Sequence, residues 1–557
     1  MKHKNGKYLG LGLVILFCLL VLVTAFRASE RYYSRNIVLT DTSYFLMSVG
    51  ILLQGRDEFG WRHVLSSPTP LHSSEYSVGD SDVYELHDLV AWLLKAVLPV
   101  RPSAAVILNG LWFIAMAVSL YLLLFERTGV WAIAALVAVS YLVANPYLPT
   151  VRFGLTSLDP NLHAFMIGTS AFCWLLLAHS FRKRGASIVF GVFLGLLVLA
   201  RVYTLGIVLP AMLPFVVASF WVRSRDKLRA SAAGAALALC ALLAVCAWWL
   251  FPRLGMIAAY PTLYKDAGVL ERSSAAESAV KWLRFSRQLA AANMPVICVL
   301  SWVFADQLFK YRPRPLRDAS WSHLWVAICP LVILSWLGTT FEPYATLVLF
   351  GVFLTLLFPF RLGPPALLQE PVFIALLALA TAIGAGGFFW SLAREHEAVA
   401  YDKRSLDGAI DAISQDAART HRQRITLGLV HWGILHDASL IDALIFDAGI
   451  RIATPDYPPK ARASTLVVDP LMRDLWVWDA RLRGSASMTP ELWSSELARR
   501  ADYAIVLAAD AEQQVRGGRW VPWVKASRLL LESPAFRVLA GPFTIPEDGN
   551  VVVLARR

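Results

Sequence analysis

From Tyr8 to Leu392 the chain alternates long apolar runs with short connections, many of them rich in lysine and arginine, and that alternation leaves few folds open. A helix of about 20 apolar residues crosses a hydrocarbon core of about 30 Å, and backbone in lipid must satisfy its own hydrogen bonds. Such runs fall at Tyr8–Phe26, Ala104–Phe125, Val130–Tyr147, Asn161–Phe181, Ser187–Ala200, Val202–Val222 and Ala230–Phe251. They continue at Pro295–Phe309, Trp321–Gly338, Pro343–Phe360 and Val372–Leu392. The pattern predicts a polytopic α-helical membrane protein of about eleven spans. A hydrophobic content of 57%, a mean hydropathy of +0.54 and only 17% charged residues exclude a large soluble protein.

The first run follows Lys2, Lys4 and Lys7 and is long for a signal peptide, so it is read as a retained anchor. With the N-terminus in the cytoplasm, the connections Glu126–Gly129, Arg182–Ala186, Arg223–Arg229, Lys310–Ser320 and Arg361–Pro371 all fall inside. These hold the dense basic clusters, as the positive-inside rule requires. The net charge of +12 therefore marks cytoplasmic loops and not a nucleic-acid surface. All six cysteines lie within apolar runs, so no disulfide framework or cysteine metal site is indicated. The chain lacks an Asn-x-Ser/Thr sequon, which favours a bacterial inner membrane.

Residues 1–392 form the membrane domain on this reading, with a large first external loop at 27–103. Within that loop Ser43–Gln54 is apolar but too short to span, and reads as an interfacial helix entered at Asp41 and stopped at Gly55. Leu86–Val100 reads as a second, carrying His87 and Asp88 at its start and Lys95 within. An odd number of spans places residues 393–557 outside, where the pattern becomes that of a soluble α/β domain. Helices are predicted at Leu406–Arg419, Ala438–Ala448, Pro490–Arg500 and Lys525–Glu532. Strands are predicted at Arg424–His431, Thr465–Val468, Tyr503–Leu507, Phe536–Leu539 and Val551–Leu554.

The acids and bases gather at the external membrane surface. Asp41 begins the first interfacial helix, and Asp159 directly precedes a span in SLDPNLHAF. Arg201 ends another span, Arg253 and Lys265 follow Phe251 in a loop, and Glu342 and Tyr344 occupy the turn TTFEPYA. Each has a plain structural explanation. Aspartate is a preferred N-cap, Pro160 suits the first helical position after such a cap, and arginine and lysine anchor helices at headgroups. His87, Asp88 and His163 carry metal-ligand chemistry with no spacing that ties them together; surface polarity is their default. Span interiors hold almost no ionisable residues, whereas a coupled transporter places them near the midplane. Charge collected where headgroup meets water suits an enzyme acting on a lipid-borne substrate.

In this arrangement the chain resembles the glycosyltransferase C (GT-C) superfamily of integral-membrane enzymes that use polyprenyl-phosphate-linked sugars. The resemblance rests on Asp41 in LTDTSYFLMSVGILLQG, Asp159 in SLDPNLHAF, the many spans and the external C-terminal domain. It departs where many relatives pair two acids, since Thr42 follows Asp41; the Trp476–Asp479 run lacks the rest of an oligosaccharyltransferase signature. The resemblance implies an inverting transfer of a sugar from a polyprenyl-phosphate donor to a glycan, lipid or protein acceptor. Asp41 is then the general base or an acceptor-orienting acid, with Asp159 assisting or holding a divalent ion, Mg or Mn. Arg201, Lys265 and Arg253 bind the donor phosphate, and His87, Asp88, His163, Glu342 and Tyr344 line the substrate pocket. Two other readings share these features: a flippase of lipid-linked sugars, and an anchored binding or assembly protein acting through its external domain.

Overall fold

The computed structural model describes residues 2–36, 86–94, 97–266 apart from 146, 152, 153, 159, 222 and 223, 370–398, 403–430, 450–452, 466–471, 489–508, 521–545 and 549–557, with residues 50 and 444 and scattered positions between 276 and 351. The chain divides into two compact units. The first gathers residues 1–26, 109–255 and 268–395; the second gathers 27–108, 256–267 and 396–557.

Helices account for most of the described part of the first unit. They are α1 (Lys2–Tyr33), α3 (Ala104–Thr128), α4 (Trp131–Val143), α5 (Pro160–Leu177), α6 (Arg184–Arg201), α7 (Leu205–Phe220), α8 (Arg225–Asp266) and α9 (Pro371–Ala398), of which α1, α3, α8 and α9 extend beyond it; α2 (Leu86–Leu94) belongs to the second. Among the described residues, five helices are long and apolar enough to cross a membrane. The expected spans near Pro295–Phe309, Trp321–Gly338 and Pro343–Phe360 lie mostly outside the described residues.

Several helices outrun the expected span limits, two of them by a wide margin. The sequence reading ended the first at Phe26, but α1 continues through Arg27 and Arg31 to Tyr33. It ended another at Phe251, but α8 continues to Asp266, so Arg253 and Lys265 stand on a helix and not in a loop. Falling hydropathy marks the edge of the lipid; it does not break the backbone hydrogen bonds that continue a helix. Of the interfacial helix expected over Leu86–Val100, Leu86–Leu94 is helical and residues 97–100 are not.

Close backbone approach sets the packing of α6 on α8. Gly191 and Gly195 lie one turn apart, and a Cβ on Gly191 would stand 2.0 Å from the Ala238 carbonyl oxygen. That is the small-residue solution to helix contact in lipid, where dispersion and not hydrophobic expulsion holds helices together. In α7, Pro214 has no N–H to give the Pro210 carbonyl, and the Trp325 indole donates to that oxygen at 2.9 Å instead. Tyr121 of α3 donates to the Lys7 carbonyl of α1 at 2.7 Å, and Ser140 of α4 bonds Thr381 of α9 at 2.7 Å.

In the second unit, α10 (Arg404–Arg419), α11 (Pro490–Arg500) and α12 (Val521–Leu531) accompany a six-stranded sheet. Its strands are β1 (Arg424–Val430), β2 (Arg451–Ile452), β3 (Val467–Leu471), β4 (Tyr503–Leu507), β5 (Phe536–Ile545) and β6 (Gly549–Arg556). The order is β2-β3-β1-β4-β6-β5, parallel from β2 to β4, with β6 and β5 added antiparallel. Nearly continuous apolar runs at β1 (Ile425 to Val430) and β4 suit central parallel strands covered on both faces. The short β2 was not expected from sequence, and the predicted helix Ala438–Ala448 lies outside the described residues apart from Leu444.

Local chemistry explains the ends of these elements. Thr489 caps α11 by accepting from the Leu492 N–H, with Pro490 at the first helical position. The Asp502 carboxylate accepts from the Thr426 N–H at 2.8 Å and pairs with Arg422 at 2.6 Å, joining β1 to β4. Lys403 donates its backbone N–H to the Arg35 carbonyl and its Nζ to the Tyr33 carbonyl, covering the C-terminal end of α1 within this unit.

Candidate active site

The irregular segment between α4 and α5 ends at Leu158, one residue before Asp159. It is buried almost throughout: Asn145, Leu148, Leu155, Thr156, Ser157 and Leu158 are each at most 1% exposed. Non-helical backbone is tolerated at depth only when the protein satisfies its polar groups, and several bonds within the described part of this segment do so. The Tyr147 N–H donates to the Asn145 side chain, the Thr150 N–H to the Tyr147 carbonyl, the Leu155 N–H to the Leu148 carbonyl, and the Ser157 N–H to the Gly154 carbonyl.

Gly154 is required at the centre of this turn. A Cβ there would stand 2.2 Å from the Thr150 carbonyl oxygen, 2.5 Å from that of Leu148 and 2.7 Å from that of Tyr147. Three backbone oxygens converge where any other residue would carry a carbon.

The free end of the segment is held from α3. Asn109 Nδ2 donates to the Leu155 carbonyl at 2.9 Å and to the Ser157 carbonyl at 2.6 Å. Both amide hydrogens are then committed, so Asn109 Oδ1 accepts from His163 Nε2 at 2.6 Å. The network itself thus fixes the amide orientation and the imidazole tautomer. Asn109 and His163 are both 0% exposed, and His163 lies on the first turn of α5, just past Asp159 and Pro160.

His163 therefore departs from the surface position that sequence alone suggested. Arg201 is half-buried at the last residue of α6, before the 3₁₀ turn Val202–Thr204, with its Nε inside the protein. The break expected near Arg201 falls at this turn. His87 and Asp88 occupy the first turn of α2. Asp41, Asp159, Glu342 and Tyr344 lie outside the described residues. Among the described residues no three His, Cys, Asp or Glu side chains are grouped to hold a metal ion.

Asn109, Gly154 and Ser157 were not singled out in the sequence. The one signal for Asn109 was a primary amide in the otherwise apolar stretch AAVILNGLW. A search restricted to ionisable side chains passes over it.

The apolar helices and the C-terminal sheet domain make this a polytopic α-helical membrane protein, and its fold is that of GT-C neighbours. The particular likeness is to ArnT from Cupriavidus metallidurans, matched end to end. Its apo crystal structure aligns at TM-score 0.57 and 14% identity, covering 98% of both chains. The crystal structure of the same protein bound to undecaprenyl phosphate aligns at TM-score 0.58, again at 14% identity and 98% coverage of both chains. The mycobacterial arabinofuranosyltransferase AftD aligns at TM-score 0.46 and 13% identity, over 97% of this chain and 41% of that one, and adds nothing to the fold assignment. No protein-family model and no curated protein sequence matches the chain.

Proposed function

We propose that this protein is an integral-membrane glycosyltransferase that takes a sugar from a polyprenyl-phosphate carrier and passes it to an acceptor on the extracytoplasmic face. The observation that carries the reading is the end-to-end likeness to a transferase fold solved with undecaprenyl phosphate bound. The gathering of 27–108, 256–267 and 396–557 into one unit also supports it, because charge patterning assigns nearly all of those residues to one side of the membrane. On this reading the N-terminus is cytoplasmic, the C-terminal domain is periplasmic and the membrane is a bacterial inner membrane.

The chemistry follows from the groups available. A sugar on a lipid phosphate already has a good leaving group, so a carboxylate that removes the acceptor proton as the bond forms is the main need. Asp41 takes that role and gives inversion at the anomeric carbon. Asp159 orients the acceptor or holds a divalent ion. Arg201, with Lys265 and Arg253, neutralises charge gathering on the departing phosphate. His87, Asp88, Glu342 and Tyr344 bound the sugar.

The test uses the full chain with a panel of undecaprenyl-phosphate-linked sugars and candidate acceptors, measuring release of undecaprenyl phosphate. Asp41→Asn should cut turnover by at least about 100-fold, the usual scale for loss of a general base. Full turnover in that variant would remove Asp41 from the mechanism. Movement of the intact lipid-linked sugar across vesicles without bond cleavage would establish the flippase instead.

A further inference from the structure

We propose that Asn109 and His163 are a positioning pair for Asp159, one that acts through backbone and not through contact with substrate. The inference rests on the transferase reading for its kinetic consequence, but its geometry stands independently. Two tethered stretches flank Asp159 in the sequence. On one side is the turn ending at Leu158, whose Leu155 and Ser157 carbonyls are both held by Asn109 Nδ2. On the other is the first turn of α5, tied to the same amide by His163 Nε2. One asparagine on α3 thereby bonds the chain at Ser157 and again at His163, on either side of Asp159 in the sequence.

The design depends on donor count. Asn109 supplies both of its N–H groups to two carbonyls and its oxygen to one imidazole N–H, with no donor left over. An aspartate of the same shape has no hydrogen to give, and would direct a carboxylate at two carbonyl oxygens. Leucine at 163 removes the third bond, whereas glutamine still presents an N–H toward Asn109 Oδ1. Displacement of a catalytic group by about 1 Å costs about 100-fold in rate, so a small opening of this turn is enough to be read kinetically.

Two measurements on the full chain in detergent test the pair. In the first, turnover of an undecaprenyl-phosphate-linked sugar is compared across Asn109→Asp, His163→Leu and His163→Gln. The first two should lose kcat by about 100-fold with KM changed by less than about threefold, and His163→Gln should recover most of it. In the second, Asp159→Cys is placed in a chain whose six native cysteines are alanine. Its rate of modification by a small methanethiosulfonate should change about tenfold when Asn109→Asp or His163→Leu is added, and stay near the parent with His163→Gln.

Unchanged modification and unchanged kcat in Asn109→Asp would overturn the proposal, as would equal losses in His163→Leu and His163→Gln. If the unaltered chain consumes no polyprenyl-phosphate sugar, the transferase reading fails. The modification rates then still decide whether Asn109 and His163 set the position of residue 159.

Discussion

Gly154→Ala is the sharpest structural perturbation the buried loop offers. The added methyl carbon would enter a space bounded by the carbonyl oxygens of Thr150, Leu148 and Tyr147 at 2.2, 2.5 and 2.7 Å, where ordinary contact begins at 3.4 Å. None of the three is the end of a flexible side chain. Two already accept hydrogen bonds, Leu148 from Leu155 and Tyr147 from Thr150, so the turn must open and break at least one of them. Overpacking costs about 1–3 kcal/mol and each lost backbone bond about 0.5–1.5 kcal/mol, giving a destabilisation of about 2–4 kcal/mol. At the sensitivity of large domains, about 2 °C per kcal/mol, the melting temperature of the detergent-solubilised chain should fall by about 4–8 °C. Intrinsic tryptophan fluorescence during heating reports it. Gly386→Ala is the control, since no atom lies within 4 Å of a Cβ there and Gly386 lies within α9. A wild-type melting temperature for Gly154→Ala, or equal losses at the two glycines, would refute the carbonyl cradle.

Further expectations concern other parts of the molecule. Gly191→Ala should separate α6 from α8 and lower the melting temperature by about half as much as Gly154→Ala, because it overpacks a helix contact without breaking a turn. In the C-terminal domain, burial first, and then the hydrogen bond to Asp416, push the Tyr503 hydroxyl up to about 12 from an ordinary value of 10.0. A folded value above the unfolded one means this stabilisation is complete below pH 10 and is lost as pH rises through about 12. Alkaline unfolding followed by tyrosinate absorbance should therefore lose this component in Tyr503→Phe; an unchanged profile would show that Tyr503 contributes nothing there. Trp325→Phe should destabilise the chain by about 1 kcal/mol by stranding the Pro210 carbonyl, measured by the same heating experiment. Finally, if Asp159 holds a divalent ion, dialysis against EDTA should abolish turnover of the lipid-linked sugar and Mg or Mn should restore it; turnover in excess EDTA would leave Asp159 an acceptor-orienting acid.

Much of this molecule was legible in one dimension because its strongest signals are local. Apolar run length selects helices in lipid, and period-two alternation or short buried runs select strands. Predicted and observed elements therefore coincide closely at α10, α11, β1 and β4, whereas β3 is displaced towards Leu471 from the expected Thr465–Val468. The break after Arg201 was visible as a charged interruption of an apolar stretch. Helix limits were less so at Phe26 and Phe251, since hydropathy reports the solvent beside a helix and not the hydrogen bonds within it.

The sequence by itself determined the class: a membrane-spanning helical assembly with an α/β tail. It also marked Asp159 as the residue before a helix, because Asp-Pro is a local signal. Only the tertiary structure decided how the chain reaches that residue. Asn109 and the carbonyls of Leu155 and Ser157 are 46 and 48 positions apart, and no local pattern couples them. Burial makes that bond necessary, since three polar groups shielded from solvent must answer one another or leave the site.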